Sequence, residues 1–269
     1  MAEVKELEKI AKSLRKDIVE MTNISQSGHP TTSMSCIDIL TALYFSELKH
    51  NPKNPKDPNR DRFILSKGHG APAIYVCLAH AGYFPKEELK HLREINHLLQ
   101  GHPSTSIPGI EIATGSLGMG LSVGNGIAWA AKLDKKDYHT YVMFGDGELH
   151  EGQCWESIMA TPDFKLDNVT LIVDRNRLQN DGWIDAEKQL EPLDKKFEAF
   201  GWEVLTINGH DMKEILDALR HAWKSKNPVC VIANTIKGKG VKIIEDDPDM
   251  HGKPLSKEQY AEAIKELAE

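Results

Sequence analysis

This 269-residue chain lacks the features that mark several protein classes. Its four cysteines include no C-x-x-C pair and none stands near a histidine at zinc-ligand spacing, which argues against a disulfide framework or a zinc site. No segment approaches the roughly 18 consecutive apolar residues of a membrane span. The charged N-terminal segment lacks a signal-peptide apolar region, and the net charge of −7 argues against nucleic-acid binding. We therefore expect a cytoplasmic protein with no membrane or nucleic-acid partner.

Alternating strand and helix patterns are present instead. Hydrophobic residues make up 40% of the chain, enough for a sizeable core. Continuous apolar runs predict strands that are buried on both faces, at 140–144, 169–173, 203–207 and 229–233. A shorter strand is predicted at 63–65, and helices at 3–21, 30–45, 71–81, 149–161, 212–223 and 258–268. This alternation predicts one α/β domain, 1–269, with a doubly wound, mostly parallel sheet flanked by helices and a ligand beyond the carboxyl ends of the strands.

Two glycine-rich segments do not match common nucleotide-binding motifs. The run GSLGMGLSVGNG has valine, Val123, where a dinucleotide fingerprint needs its third glycine, and no strand directly precedes it. The run KGKGVK lacks the Gly-Lys-Ser/Thr ending of a P-loop. Neither segment therefore predicts a nucleotide site.

The most informative pattern is a Gly-Asp-Gly sequence followed by an asparagine. Asp146 lies between Gly145 and Gly147 at the end of a predicted strand, and Asn176 follows the next predicted strand, 30 residues later. Mg²⁺ prefers oxygen ligands and commonly shares them with phosphates. We therefore expect Asp146, Asn176 and a backbone carbonyl to hold a metal. The two glycines would let a diphosphate approach, and a helix opening near Glu148 would present N–H groups to it.

Four histidines occur in loops beside glycine or proline. They are His29 in SGHP, His69 in KGHG, His102 in GHPS and His251 in MHGKP. Imidazole can donate to or accept from hydroxyl and carbonyl oxygens near neutral pH. Such a cluster predicts a polyol substrate whose hydroxyl groups are oriented and deprotonated.

Taken together, the motifs resemble those of the transketolases. They occur in the family's order and cover about residues 20 to 258: SGHPTT, DRFILSKGHGAP, GHPS, ATGSLGMGLSVGNGIA, GDGELHEGQCWE, LDNVTLIVDRNRLQ, NTIKGKG and MHGKPLS. The resemblance implies a thiamin diphosphate-binding fold. It also implies transfer of a two-carbon ketol unit from a ketose phosphate to an aldose phosphate.

The resemblance also implies a cofactor and metal site. Mg²⁺ or Ca²⁺ would be held by Asp146, Asn176 and the carbonyl of Leu178. The diphosphate of thiamin diphosphate would contact Gly147 and Asn176, with His69, Lys237 and His251 nearby. The aminopyrimidine would lie against the backbone of Gly115, Ser116 and Leu117, and Thr32 would be a further cofactor contact.

Catalytic roles are implied for the four loop histidines and for one acid. His29, His69, His102 and His251 would surround the reacting sugar carbons. Glu151 would lie between protomers, where the family has an acidic cluster that links paired active sites. Alternatively, Glu151 is simply a helix N-terminal acid favoured by the helix dipole.

The resemblance covers the first of the family's three domains. The second domain supplies a glutamate that activates the aminopyrimidine ring, and most basic residues that grip a sugar phosphate lie outside the first. We therefore expect a partner chain, a C-terminal transketolase subunit with the pyrimidine-binding and C-terminal domains. Two copies of each chain are expected, and the substrates are sugar phosphates.

Two alternatives remain open from the sequence. One is the α subunit of a 2-oxoacid dehydrogenase, or a deoxyxylulose-phosphate synthase, because both share the Gly-Asp-Gly and asparagine pattern. The other is a non-catalytic cofactor-binding protein, because the ring-activating glutamate is not in this chain. Donor preference tests the first alternative, and activity with a partner chain tests the second.

Overall fold

A wholly parallel five-stranded sheet forms the centre of the computed structural model, which describes residues 1–180 and 182–268. Its strands, in the order β1-β2-β3-β5-β4 across the sheet, are β1 (Arg62–Leu65), β2 (Thr140–Gly145), β3 (Val169–Arg175), β4 (Glu203–Asn208) and β5 (Val229–Asn234). Gly145 at the end of β2 pairs with Asp174 near the end of β3. The segments that follow these two strands therefore leave the sheet side by side.

Helices cover both faces of the sheet, as the continuous apolar strands predict. They are α1 (Ala2–Ser25), α2 (Pro30–Ser35), α3 (Ile37–Ala42), α4 (Ala71–Ala81), α5 (Met119–Leu133), α6 (Gly152–Asp163), α7 (Ile184–Glu187), α8 (Leu193–Ala199), α9 (Met212–Lys224) and α10 (Lys257–Glu266). Alternate strand residues divide between two buried clusters. Tyr141 and Met143 pack with α1, α3, α4 and α9, whereas Val142 and Phe144 pack with α5, α6 and α8. The predicted doubly wound α/β fold is confirmed.

The helix predicted at 30–45 is wrong as a single element. It is divided into α2, α3 and a π-helical turn at Leu43–Glu47. The carbonyl of Thr32, the usual acceptor for Cys36 N–H in a continuous helix, instead accepts from Lys67 Nζ at 3.0 Å and Ser35 Oγ at 2.9 Å. The tertiary bond from Lys67 and the local bond from Ser35 accompany a break in the helix at Cys36, where φ is −100° and ψ is 1°.

The helix start expected near Glu148 also needs correction. A 3₁₀ turn occupies Gly147–His150, and α6 begins only at Gly152. The turn forms because the Asp146 carboxylate caps it, accepting from Gly147 N at 2.9 Å. A regular helix N-terminus therefore does not face the predicted diphosphate at this point. Among the described residues, no helix is both long and apolar enough to cross a bilayer.

Candidate active site

A cavity of about 530 Å³ opens at the carboxyl ends of β2 and β3, the place where doubly wound sheets bind ligands. Every residue expected at the site lines it except Ser116, which is exposed between two lining residues. The lining residues that were expected are His29, Thr32, His69, His102, Gly115, Leu117, Asp146, Gly147, Glu148, Glu151, Asn176, Leu178, Lys237 and His251. The fold thus brings together residues that are up to 222 positions apart in the sequence, from His29 to His251.

Asp146 and Asn176 place a carboxylate and an amide oxygen at the end of the sheet. Both are buried, and the Asp146 carboxylate accepts from the backbone N–H of Gly147 and of Arg177. Arg177 has a φ of 64°, a left-handed turn that carries the chain on to Leu178. Burial, reinforced by the nearby Asp174 carboxylate, raises the pKa of Asp146 to about 7. A divalent cation here would favour the ionised carboxylate.

A buried ion pair beneath these oxygens was not predicted from the sequence. Asp174 is fully buried and pairs with Lys67 Nζ. Its carboxylate also accepts from Ser35 Oγ at 2.6 Å and from Thr235 Oγ1. The Asn176 amide donates to Asp174 Oδ2 at 3.2 Å, which leaves the amide oxygen, Oδ1, turned the other way. Asp174 therefore fixes the orientation of the proposed Asn176 ligand, as outer carboxylates do in metal sites.

Three of the four histidines form a cluster of imidazole rings. The ring centroids are 5.2 Å apart for His29 and His69, 5.5 Å for His29 and His251, and 5.7 Å for His69 and His251. Burial lowers the pKa of His29 to about 4 and lowers that of His69 further, so both rings are neutral at pH 7. Neutral imidazole has one donor and one acceptor nitrogen, which suits it to hydroxyl groups.

His102, the fourth histidine, also lines the cavity. It lies against Gly115, where an added Cβ would be 3.4 Å from the His102 ring. Gly115 has a φ of 154°, so a side chain there would strain the backbone. Burial, followed by the charge of Arg93, lowers the pKa of His102. Its neutral ring and the backbone of Gly115 therefore share one edge of the cavity.

Lys237 brings a positive charge into the cavity beside His251. Its Nζ lies 2.5 Å from His251 Nδ1. Burial, together with the charge of Lys67, lowers the pKa of Lys237 to about 8, so the amine is still mostly charged at pH 7. An anion next to Lys237 would stabilise that charge. The site therefore has a cation suited to a phosphate group.

Glu148 faces the protein rather than the open cavity. Its carboxylate accepts from Gly118 N at 2.8 Å, from Gly145 N at 3.2 Å and from Ser66 Oγ. Burial raises the pKa of Glu148 to about 7. Its contacts join the end of β2 to the glycine-rich loop before α5. The side chain thus holds the wall that contains Gly115 in place.

Two neighbouring residues lie at the rim of the cavity. Glu151 is exposed and caps the start of α6 without a side-chain cap bond. His150 was not predicted at the site, and here its Nδ1 lies 3.0 Å from Gln179 Oε1 and its Nε2 lies 2.8 Å from Lys188 O. His150 and Gln179 both line the cavity. Their position close to Gly147 and Asn176 in the sequence was the signal that could have identified them.

The donor set fits a divalent cation with an attached diphosphate. Asp146 offers a buried carboxylate whose raised pKa a cation would lower, and Asn176 offers an oriented amide oxygen. His29 Nδ1 is buried without a hydrogen-bond partner among the described residues. A Cβ at Gly147 would be tightly placed, 3.0 Å from Gln179 Cβ, so glycine keeps the backbone accessible here. Together these features define a cavity with oxygen donors for a cation, close backbone for a phosphate group and one unpaired buried nitrogen, His29 Nδ1.

Comparison with known proteins agrees with this class of site. Residues 5–268 match the family model "Transketolase, thiamine diphosphate binding domain". The chain is 44% identical over 268 residues to one of the subunits of an apulose-4-phosphate transketolase from Phocaeicola vulgatus, covering 99% of this chain and 95% of that protein. It is 38% identical over 262 residues to the transketolase of Homo sapiens, covering 97% of this chain but 42% of that protein.

A solved structure gives the same result. The transketolase of Campylobacter jejuni superposes with a TM-score of 0.93 at 38% identity, covering 98% of this chain and 43% of that one. Fold and site thus define a thiamin diphosphate-binding domain. The chain belongs to the transketolase family, and it spans less than half the length of the single-chain members it matches.

Proposed function

We propose that this chain is the N-terminal subunit of a transketolase that works with a C-terminal subunit. Together they would transfer a two-carbon ketol unit from a ketose phosphate to an aldose phosphate, using thiamin diphosphate and Mg²⁺ or Ca²⁺. The main observation behind the proposal is that Asp146, Asn176 and the four loop histidines line the same cavity. The near-complete match to a protein that is named as one of the subunits of a transketolase supports the two-chain form.

The cofactor and metal would be held by residues of this chain. Asp146, Asn176 and the carbonyl of Leu178 would hold the cation, and Lys237 and His69 would lie near the diphosphate. Gly115 and Leu117 would present backbone to the aminopyrimidine, with Ser116 and Thr32 as further contacts. When bound, thiamin diphosphate would supply the nucleophilic carbon and the electron sink.

The four histidines would bind the hydroxyl groups of the sugar and assist proton transfer. Burial lowers the pKa values of His29, His69 and His102, so their rings are neutral near pH 7. The large shifts make His29 and His69 weak bases, which suits these two rings to hydrogen bonding with substrate hydroxyl groups. His251 lies beside Lys237, with its Nδ1 2.5 Å from the Lys237 amine. The cluster would therefore orient the sugar hydroxyl groups, and His102 and His251 would assist proton transfer during carbon–carbon bond cleavage.

The partner chain would complete the site. It would contribute the ring-activating glutamate and most of the phosphate-gripping residues, with two copies of each chain in the assembly. Exposed Glu151 at the cavity rim would meet another chain there. We place the reaction in the cytoplasm and in pentose phosphate metabolism. Apulose 4-phosphate, which appears in the name of the Phocaeicola relative, is a donor to test beside the common ketose phosphates.

The test is a coupled assay with this chain alone and mixed with the candidate partner chain. Ribose 5-phosphate is the acceptor, with thiamin diphosphate and Mg²⁺ present, and the donor is either xylulose 5-phosphate or apulose 4-phosphate. Activity that appears only when the two chains are mixed supports the proposal. The donor that reacts faster is then the preferred substrate. Activity of the chain alone would contradict the need for a partner. Activity with pyruvate but no ketose phosphate would favour the dehydrogenase or synthase alternative.

Two histidine variants test the catalytic assignment within that assay. General acid–base catalysis is typically worth about 10²- to 10⁴-fold. We expect His102→Ala and His251→Ala to slow kcat of the assembled enzyme by a factor in that range. His221→Ala is the control, since His221 is exposed and pairs with Glu203 on the surface. Unchanged turnover in both active-site variants would remove their catalytic role.

A further inference from the structure

A cluster of two histidines and a glutamate lies outside the active-site cavity. His91 Nδ1 is 2.8 Å from Glu94 Oε2, and His97 Nε2 is 3.4 Å from the same oxygen. The two imidazole rings stack with centroids 4.1 Å apart and an interplanar angle of 13°. One donor atom from each residue lies within 4.8 Å of the others. Two ring nitrogens thus converge on one carboxylate oxygen.

The loop that carries this cluster is held in shape by its own hydrogen bonds. Arg93 N donates to Leu99 O at 2.7 Å, which closes the loop. The Gln100 amide donates to Glu94 O at 3.1 Å and to His97 O at 2.9 Å. The backbone of two of the three residues is therefore fixed by the Gln100 side chain. A ligand that binds to the side chains would not have to order the loop, which lowers the cost of binding.

We propose that His91, Glu94 and His97 form a binding site for a first-row transition metal such as Zn²⁺. Imidazole suits Zn²⁺, Cu²⁺ and Ni²⁺, whereas Mg²⁺ and Ca²⁺ prefer all-oxygen sites. Three protein donors leave a fourth position for water, as in open zinc sites. The site is separate from the cation site at Asp146 in both location and metal preference.

A second carboxylate lies near the other ring nitrogen of His97, although beyond hydrogen-bond distance. When Nε2 faces the Glu94 oxygen, the other ring nitrogen, Nδ1, lies 4.0 Å from Glu88 Oε2. Metal-binding histidines commonly direct their second nitrogen to a carboxylate, which fixes the tautomer. A cation would take the place of the proton between His97 Nε2 and Glu94, and the ring would keep a proton on Nδ1 toward Glu88.

The proposed metal site lies in the loop that precedes His102, a residue of the candidate active site. His97 precedes His102 by five positions, and Arg93 lies between the metal-binding residues. The Arg93 guanidinium packs against Gly101, where an added Cβ would be 2.8 Å from Arg93 Cζ. A bound metal would therefore tie together the loop that leads to His102.

The experiment is calorimetric titration of Zn²⁺ into the untagged full chain with Mg²⁺ and thiamin diphosphate in excess. The excess Mg²⁺ occupies the Asp146 site, so the titration reports on other sites. We expect a Zn²⁺ site that Mg²⁺ does not displace, and at least about a 10-fold loss of affinity in His91→Ala and in His97→Ala. Glu94→Gln should weaken binding as well.

The matched control is His221→Ala, which removes an exposed histidine that also pairs with a glutamate. Its Zn²⁺ titration should equal that of the unaltered chain. Thermal melts of each variant show whether folding is retained. The proposal is overturned if the chain binds Zn²⁺ only in the millimolar range, or if the His91 and His97 variants bind it as tightly as the control.

Discussion

At the residue scale, the clearest prediction concerns the protonation of Asp146. Burial raises its pKa from 3.8 to about 7, so the folded chain holds a proton that the unfolded chain releases. That contribution to the stability of the metal-free chain is present below about pH 4 and is lost as the pH rises through 7. A cation binds the ionised form, so its apparent affinity should fall about tenfold per pH unit below 7.

The measurement is the rise in Tm caused by Mg²⁺ and thiamin diphosphate at several pH values. The rise should be larger at pH 8 than at pH 6. Asp146→Asn removes the ionisable group and one charged ligand, and it should abolish most of the rise at both pH values. If the Asn variant keeps the full Mg²⁺-dependent rise, Asp146 is not a metal ligand.

The buried pair of Asp174 and Lys67 gives a prediction that separates stability from positioning. Asp174→Leu alone leaves Lys67 charged and unpaired, at a cost of about 3–5 kcal/mol in the free energy of unfolding. The double variant Asp174→Leu with Lys67→Met removes both charges and should recover much of this loss. Its affinity for Mg²⁺ with thiamin diphosphate should stay about 10- to 100-fold low, because Asn176 has lost the carboxylate that orients it.

Urea unfolding gives the stability of the two variants, and calorimetry gives their metal affinity. Lys67→Met alone is the complementary control, since it leaves Asp174 buried and unpaired. Recovery of both stability and metal affinity in the double variant would mean that Asp174 serves the fold and not the Asn176 ligand.

Sequence patterns predicted which residues line the cavity better than they predicted the residues behind it. The oxygen ligands and histidines stand in short glycine- and proline-rich motifs, which are visible in the sequence. Asp174 ends an apolar strand, and the pattern placed it just outside that strand. Besides the neighbouring Asn176, its partners come from three separate segments, at Ser35, Lys67 and Thr235. No local sequence spacing predicts that these distant residues meet.

At the scale of elements, the packing of α5 on the sheet gives a matched pair of glycine variants. A Cβ on Gly124 would lie 2.6 Å from Val142 Cγ2 in β2, whereas a Cβ on Gly126 would have nothing within 4 Å. Gly124→Ala should destabilise the chain by about 1–3 kcal/mol through overpacking. Gly126→Ala should stabilise it by about 0.5–1 kcal/mol, since alanine is the better helix former.

Both glycines lie in the interior of the same helix, so the intrinsic helix preference cancels between the two variants. Urea denaturation of the chain without its partner measures the free energy of unfolding of each variant. The difference between the two variants reports the contact between Gly124 and β2. Equal effects of the two substitutions would show that α5 does not press against β2 at Gly124.

Element predictions succeeded where a local pattern determines the structure. All five predicted strands formed, and α4 has the predicted bounds of 71–81. The strand predicted at 203–207 is not buried on both faces, however, because β4 is an edge strand that pairs only with β5 and is partly exposed. The helix at 30–45 was divided at Cys36, and Lys67, from a distant loop, bonds to one of its carbonyls. Helix α8 was not predicted, because its seven residues, Leu193–Ala199, are too short to show a clear period.

At the scale of the whole molecule, the residues that the structure describes leave an apolar groove between α5 and α6 exposed to solvent. Trp129 and Phe164 line it, their rings 4.6 Å apart, and each side chain is 45% exposed. A patch of aromatic side chains on a globular surface commonly marks a protein interface. We expect this face to be covered by another chain in the assembled enzyme.

The prediction is that Trp129→Glu weakens assembly without weakening the fold. A buried, unpaired carboxylate at an interface costs several kcal/mol, whereas on the free chain it is solvated. Sedimentation velocity of the chain, alone and mixed with its partner, should show a shift toward smaller species. The Tm of the free chain should stay within a few degrees of the original. Ile95→Glu is the control, since Ile95 is 87% exposed on the loop before His102. If both variants assemble like the unaltered chain, the groove is open to solvent in the enzyme, and the contact between chains must lie on another face.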